Sequence, residues 1–532
     1  MSVEPITRET QRVRAPRSHG SALVVPSPLH IEELLRANAV AFEAAGECRI
    51  ADSPLQEVRL VARQDVILLA HEFTAAYRDV PPRPDISAPL ILSGHQPALY
   101  HPGVWFKNFL ADRLAATVSG MAINVIVDND IAPVPSIAAL GGTRENPQPA
   151  RVAYDVPGPR LPWEMTQVQS LDTLQSFPAR LRATIAGFAV EPSVDQFWPD
   201  IIRGVQAGKP LGLAISAARS RREGECGLGV LDVPLSTLSQ TAWFLQFVVA
   251  ILAEAPRFRE IYNASVREYR RAHKIRSQAH PVPDLEQEDD WTEVPFWIWT
   301  ARNRARRPLW IRQVGQQWQL SDRQGWLETI SEEEAVPQLQ ALAAENVYLR
   351  SRALTTTTIL RLAASDVFIH GIGGAQYDQV TDVIIRRFFH IDPPRFITAT
   401  ATLHLPITPP QVQLGDLRNL DRQLRDARFN PQRLPLEACS AREEELLAEH
   451  ARLIENVPDF PAKRAWHTKL QQVNAQLRAL RADRIVELKC ERDLVVQELQ
   501  QAALVGSREY SLVLHPLDGM RQWLVDLAEQ AT

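Results

Sequence analysis

Residues Pro89 to Asp130 read PLILSGHQPALYHPGVWFKNFLADRLAATVSGMAINVIVDND. Pro89 to Ser93 is a short apolar run closed by Gly94, the signature of a buried strand. Val104 to Ala116 carries apolar residues at helical spacing. The run AINVIVDND, from Ala122, is again apolar until its acids. Strand, helix and strand at this spacing make a βαβ unit. Such a unit implies a parallel sheet with helices over its faces.

The same alternation returns late in the chain. Leu354 to Ala364 reads as helix, Val367 to Ile369 as strand, Gln376 to Phe389 as helix and RFITATATLHL as strand. The predicted fold is α/β, with one Rossmann-like parallel sheet built from residues 83–144 and 346–415. Residues 145–345 are then an inserted connecting domain. It holds a short strand in ARVAYDV, a hairpin in PLWIRQVGQQWQLSD and an acidic loop at Glu286 to Asp290. Residues 1–82 read as a polar tail to about residue 28, then two helices broken near Asp52-Ser53-Pro54. PPRPDISAP is a proline-rich linker.

From 416 to 505 the chain is charged, leucine-rich and free of glycine. Trp466, Leu470, Val473, Leu477 and Leu480 follow steps of four and three, a heptad seam that shifts register before Ile485 and Leu488. REEELLAEHARLIENV is also helical, and PDFPAK separates the two. An antiparallel coiled-coil hairpin is predicted. Residues 506–532 read as a strand and helix returning to the sheet.

Composition narrows the function classes. The net charge of -5 gives no electrostatic case for nucleic acid or an anionic membrane as partner. Ala242 to Ala253 is the most apolar helical run and is too short to span a bilayer. Cys48, Cys226, Cys439 and Cys490 have no paired spacing, so neither a disulfide framework nor a structural zinc site is expected. With no apolar core in the first residues to mark a secretory signal, the expected compartment is the cytoplasm.

Four places can carry chemistry. The first is Gly94 to Ala116. His95 and His101 bracket a loop, Gly103 opens a helix and Lys107 stands one turn in; Gln96 lies between. A helix N-terminus favours an anion, and the histidines can bind it or carry a proton. They read equally well as turn residues. The second is Asp128 and Asp130, just past a strand, where ligands of open sheets bind. They would orient an amine or hydroxyl, or else end the strand in water. The third is His370-Gly371-Ile372-Gly373-Gly374 with Tyr377. A strand-to-helix glycine turn can cradle phosphate, but this one lacks both the dinucleotide and the P-loop patterns. The fourth is the basic run Arg267, Arg270, Arg271, Lys274 and Arg276, a polyanion clamp or a solvated face. No metal ligands are assigned.

Three blocks together resemble the cysteine-adding enzyme family of bacillithiol biosynthesis. They are Gly94-His95-Gln96, the block Phe368 to Tyr377 (FIHGIGGAQY) and the segment PPRFITATATLHL, followed by the helical hairpin. The resemblance spans about 90–140 and 347–532. It implies a Rossmann-like core related to nucleotidyltransferases, a connecting insertion and a coiled coil. It implies a ligase or transferase that joins an amino acid to an amino-sugar-type acceptor, with ATP or ADP as candidate cofactor. His95, His101, Asp128, Asp130 and His370 would be the catalytic set. Gly94, Gln96, Gly103, Lys107, Gly371, Gly373, Gly374 and Tyr377 would bind substrate or phosphate. The chain departs from the family at Gly374, where the family has Glu, at His95, where it has Gln, and in VDNDIAP, which lacks the family's Asp-His pair. The alternative is a non-catalytic scaffold working through the hairpin. Either reading allows a homodimer through the coiled coil.

Overall fold

The computed structural model describes residues 13–27, 30–434 and 440–532. Cys439 and the first twelve residues, where the tail and the absence of a signal were read, lie outside them. The chain forms two compact units. One holds residues 1–139, 151–405 and 508–532, the other 140–150 and 406–507.

The larger unit is a mixed α/β structure built on a six-stranded, mostly parallel sheet. In chain order its strands are β1 (Ser21–Val25), β2 (Leu90–His95), β3 (Met121–Ile126), β4 (Leu231–Pro234), β5 (Val367–His370) and β6 (Ile397–Thr402). In space they run β1-β6-β5-β2-β3-β4, and only the edge strand β1 is antiparallel. Leu90 pairs with Met121 and His95 with Ile126 on one side of β2. Val367 pairs with Ile91 and Ile369 with Ser93 on the other. The strands are apolar on both faces because helices cover both faces. Leu90, Ile91, Leu92, Ile123, Val125, Ile369 and Ile397 are all buried.

The helices nearest the site are α1 (Pro102–Thr117), α2 (Leu211–Glu225), α3 (Ala353–Ala363) and α4 (Ile372–Ile384). Helix α1 packs on β2, β3 and β6. Helix α4 runs into a π-helical turn, Ile385–Phe389. An antiparallel sheet is made by residues 291–300, 307–314, 317–321, 327–331 and 347–351, and it includes the hairpin read from PLWIRQVGQQWQLSD.

Three boundaries differ from the sequence reading. Residues 145–345 are not wholly an insertion, because β4 pairs in register with β3 and completes the sheet. The tail contributes β1, which pairs with β6 from Ser21–Thr402 to Val25–Thr398. The last segment returns no strand. Leu512–Leu514 is a buried 3-10 turn, because Pro516 and the following helix fold the run back before it can pair.

The smaller unit is largely helical. It contains α5 (Leu414–Phe429), α6 (Ala441–Glu455), α7 (Lys463–Leu480) and α8 (Ala482–Val505); a last helix, α9 (Leu517–Ala531), belongs to the larger unit. Helices α6 and α7 run antiparallel, with Arg442 beside Gln476, Glu449 beside Lys469 and the Trp466 indole donating to the Leu453 carbonyl. Val473 and Leu477 pack on Leu446, whereas Leu488 packs on Leu420, Ala427 and Leu434. The register shift in the sequence is therefore a change of partner helix. It falls at Arg481, whose buried guanidinium reaches Glu443 at 2.6 Å and the Leu434 carbonyl at 2.9 Å. Leu480, read as a seam residue, is exposed.

Candidate functional site

The strand order reverses between β2 and β5. Successive strands leave β2 on one side toward β4, and β5 lies on the other. In open α/β sheets the loops part at such a point and leave a crevice at the carboxyl ends of the strands. A cleft of about 920 Å³ lies there. It is lined by Gly94, His95, Gln96, His101, Gly103, Lys107, Asp130, His370, Gly371, Gly373, Gly374 and Tyr377. Twelve of the thirteen candidate residues thus meet in one place. Asp128 does not.

His95 ends β2 and stacks on Tyr100, ring centroids 5.1 Å apart. Burial, then the charges of Lys107 and His101, hold its pKa well below the usual histidine value, so the ring is neutral. Gln96 donates to Asp130 at 3.0 Å. Asp130 also accepts from Arg306 at 2.9 Å, so its charge is matched inside the cleft.

His101 caps α1. Its Nδ1 accepts from the Gly103 N–H at 3.1 Å, and its backbone carbonyl accepts from Val104 at 3.0 Å. The anion site expected at this helix start is thus filled by the chain's own imidazole. Nδ1 is the acceptor, so Nε2 carries the proton of the neutral ring, 3.5 Å from Glu509. Burial, then Arg508 and His515, push His101 down to about 3. Gly103 has a packing role. A Cβ there would stand 2.1 Å from the Ala401 carbonyl, so only glycine lets α1 lie this close to β6.

His370 ends β5, buried between Phe368 and Phe396. Its Nε2 is 2.7 Å from Asp378, which also accepts from Arg361 at 2.8 Å. Burial alone would raise the Asp378 carboxyl; His370 and Arg361 outweigh it and hold the group well below the carboxylate range. The ring therefore ties the strand end to α4. Gly374 follows from it. A Cβ at 374 would lie 3.0 Å from the His370 Nδ1. Gly371 and Gly373 have no such neighbour and face open space. The first intrahelical bond of α4 runs from the Ala375 N–H to Gly371. The N–H groups of Ile372, Gly373 and Gly374 precede it, and the positive end of the helix faces the cleft.

Asp128 is a correction. It lies buried away from the cleft and accepts from the Ser236 N–H at 2.9 Å and from the Ser236 hydroxyl. Burial, then Glu164, raise its pKa to about 7. It fixes the turn after β4 and has no route to a ligand in the cleft.

Sequence reading missed the arginines. Arg306 and Arg352 lie 4.5 and 4.0 Å from the Trp297 ring on the cleft wall. Arg352 also pairs with Glu293, and Arg508 donates to Thr400 at 2.8 Å. Lys107, Arg306, Arg352 and Arg508 face two acids, Asp130 and Glu509, in this lining. The cleft is cationic in a chain whose net charge is -5. Nothing local marks these arginines, which are scattered along the chain. Two residues of the basic run are engaged within the fold. Arg267 and Arg270 pair with Asp284, and Arg270 donates to the carbonyls of His280 and Val282. It holds the loop that lends Pro281, Val282 and Pro283 to the cleft. In the acidic loop, Glu288 and Asp290 pair with Arg323 and Arg312.

Below the cleft lies a buried ionic cluster. Arg219 on α2 reaches Glu223 at 2.5 Å and Asp232 at 2.6 Å. Trp105 and Asn108 donate to Glu223, Asn124 and Tyr77 to Asp232. Among the described residues no three His, Cys, Asp or Glu side chains form a metal-binding group, and no helix is long and apolar enough to cross a membrane.

The histidines predict an acid-labile fold. His101 (about 3) and His515 (about 4) lie below the value of ~6.5 they take in the unfolded chain. Between these limits the unfolded state binds more protons. Stability is then full above pH ~6.5 and falls as pH drops, by about 1.4 kcal/mol per pH unit for each such group. Asp128, raised to about 7, works in the opposite direction between pH ~4 and 7 and offsets one of them. Urea unfolding at pH 7, 6 and 5 should show the net loss, and His515→Gln should flatten it. An unchanged slope would remove His515 from the account.

No protein-family model matches this chain, and no curated protein matches it.

Proposed function

We propose that this protein is a ligase- or transferase-type enzyme that joins an amino acid to an amino-sugar-type acceptor, in the manner of the cysteine-adding enzymes of bacillithiol biosynthesis that its motifs resemble. On this reading the sheet is a nucleotidyltransferase-related core, the helical unit an antiparallel coiled coil and the compartment the cytoplasm. The observation that carries the reading is the cleft itself. It lies at the strand-order reversal and is of ligand size. Its excess of cations and the first turn of α4 suit a carboxylate or phosphate. His95, a neutral ring at the end of β2, can hydrogen-bond a ligand in the cleft, and Tyr377, edge-on to His280, walls the substrate.

Thermal unfolding with ATP, with cysteine and with glucosamine-type acceptors tests it. A true ligand at a hundred times its Kd stabilises the fold by about 2.7 kcal/mol and raises Tm accordingly. The expected result is a shift with at least one anionic ligand, lost in Arg508→Ala. No shift with any of them, together with turnover untouched by His95→Ala, would sink the assignment.

A second reading has its own support. Phe429, Ile454, Val457, Phe460 and Leu494 are exposed apolar side chains of the smaller unit, the kind of surface a partner would cover. A scaffold or homodimer working through this unit would change oligomeric state when residues 416–505 are deleted. An enzyme that only dimerises there would keep its turnover.

A further inference from the structure

We propose that Lys107 is the proton acceptor of the cleft, working as a neutral amine. The inference deepens the ligase reading above and rests on it. Lys107 stands in the second turn of α1 with its side chain buried, and it lines the cleft. Its Nζ donates to the Gly94 carbonyl at 2.7 Å. Among the described residues no carboxylate pairs with it. The charged group that bears on it is basic, Arg219 from α2, and the His95 and His101 rings that line the same cleft are neutral. The acids of the neighbourhood are engaged elsewhere, Glu223 and Asp232 by Arg219 and Asp130 by Arg306.

A buried ammonium has three N–H donors to satisfy and strongly disfavours a cationic, desolvated setting. Loss of one proton relieves both penalties. The neutral amine still donates to Gly94 and turns a lone pair toward the cleft. Burial, then Arg219, lower the pKa to about 8, which brings the amine within reach of proton transfer near neutral pH.

The step is simple. The lone pair of the acceptor's amine or thiol forms a bond to the acyl carbon of a donor activated as an acyl phosphate or adenylate. The proton it loses passes to Lys107 Nζ. The phosphate or nucleotide departs with the electron pair of the bond it breaks, and Lys107 later returns the proton to water. Arg306, Arg352 and Arg508 in the cleft lining would hold the anionic donor.

Competitive labelling of the full chain with acetic anhydride between pH 6 and 11, read peptide by peptide in a mass spectrometer, tests the amine without any substrate. Lys107 should label with a midpoint near pH 8 (about 8), well below the exposed lysines. A midpoint shared with the exposed lysines, or no labelling by pH ~10, overturns the proposal. Lys107→Arg puts a permanent cation in place of the amine and loses the base. It should lower kcat at least ~100-fold with KM for the anionic donor within about threefold. Preserved kcat with a changed KM would make Lys107 an anion clamp and overturn the role. If the wild type joins no acceptor at all, the ligase reading falls and the proton-acceptor role falls with it. The labelling curve would then still report whether the amine is neutral, so the two failures are told apart.

Discussion

Arg219→Met should lower the unfolding free energy by about 3–5 kcal/mol, the usual cost of removing one partner from a buried ion group. The substitution preserves length and apolar bulk. It leaves Glu223 and Asp232, both fully buried, without their counter-charge. The remaining donors from Trp105, Asn108, Asn124 and Tyr77 are neutral and cannot replace it. The loss is in the native state, so urea unfolding should show a lower midpoint with an unchanged slope. Adding Glu223→Gln and Asp232→Asn should recover part of the loss, because two of the orphaned charges are then gone. A cost below about 1 kcal/mol for Arg219→Met alone would mean that the cluster is solvated. If the variant folds, Lys107 should also label at higher pH, since Arg219 is the charge that most depresses it.

Arg361→Met should cost a similar ~3–5 kcal/mol for a related reason. Arg361 is buried and joins Asp378 on one side to Asp382 at 2.7 Å on the other, and it also donates to the Pro394 carbonyl. Its loss leaves Asp378 with His370 as its one remaining ionic partner, takes the buried guanidinium from Asp382 and frees the segment before β6. The consequence reaches the cleft, because Asp378 is also the partner of His370. The variant should therefore lose ligand-induced stabilisation beyond what its lower Tm accounts for. Asp378→Asn, which keeps the shape and removes a charge, is the control. If Arg361→Met lowers stability but leaves ligand stabilisation intact, His370 does not depend on this chain of charges.

The parts of the fold that could be read were those with local signals. Leu90 to Gly94 and Ala122 to Ile126 are mostly apolar runs, each broken by one small polar residue, Ser93 or Asn124, and the helix between them is buried along most of its length. The clustering of His95, Lys107, Asp130 and the 370–374 turn followed from the rule for strand ends. β4 could not be read in the same way. Four residues, Leu231 to Pro234, are too few to carry a pattern, and only their pairing with β3 makes them a strand. YSLVLH failed for the opposite reason, as an apolar run whose burial comes from a turn. Asp128 and Asp130 look alike in sequence. What separates them is Ser236, over a hundred residues away, which turns one acid inward. Arg306, Arg352 and Arg508 are cleft residues only through tertiary contacts, and an arginine in a sequence of 58 basic residues announces nothing.

The order of strands in the sheet bears on how the protein is made. β2 and β5 are neighbours in space, yet Ile91 and Val367 are paired across 276 positions of chain. At roughly 5–20 residues per second, β2 and β3 leave the ribosome on the order of tens of seconds before β5. Through that interval β2 has only its β3 flank paired. The apolar side of β2 must wait, and the nascent chain is then open to the wrong partner. Chaperone demand should thus peak while the middle of the chain is being translated, well before the cleft exists.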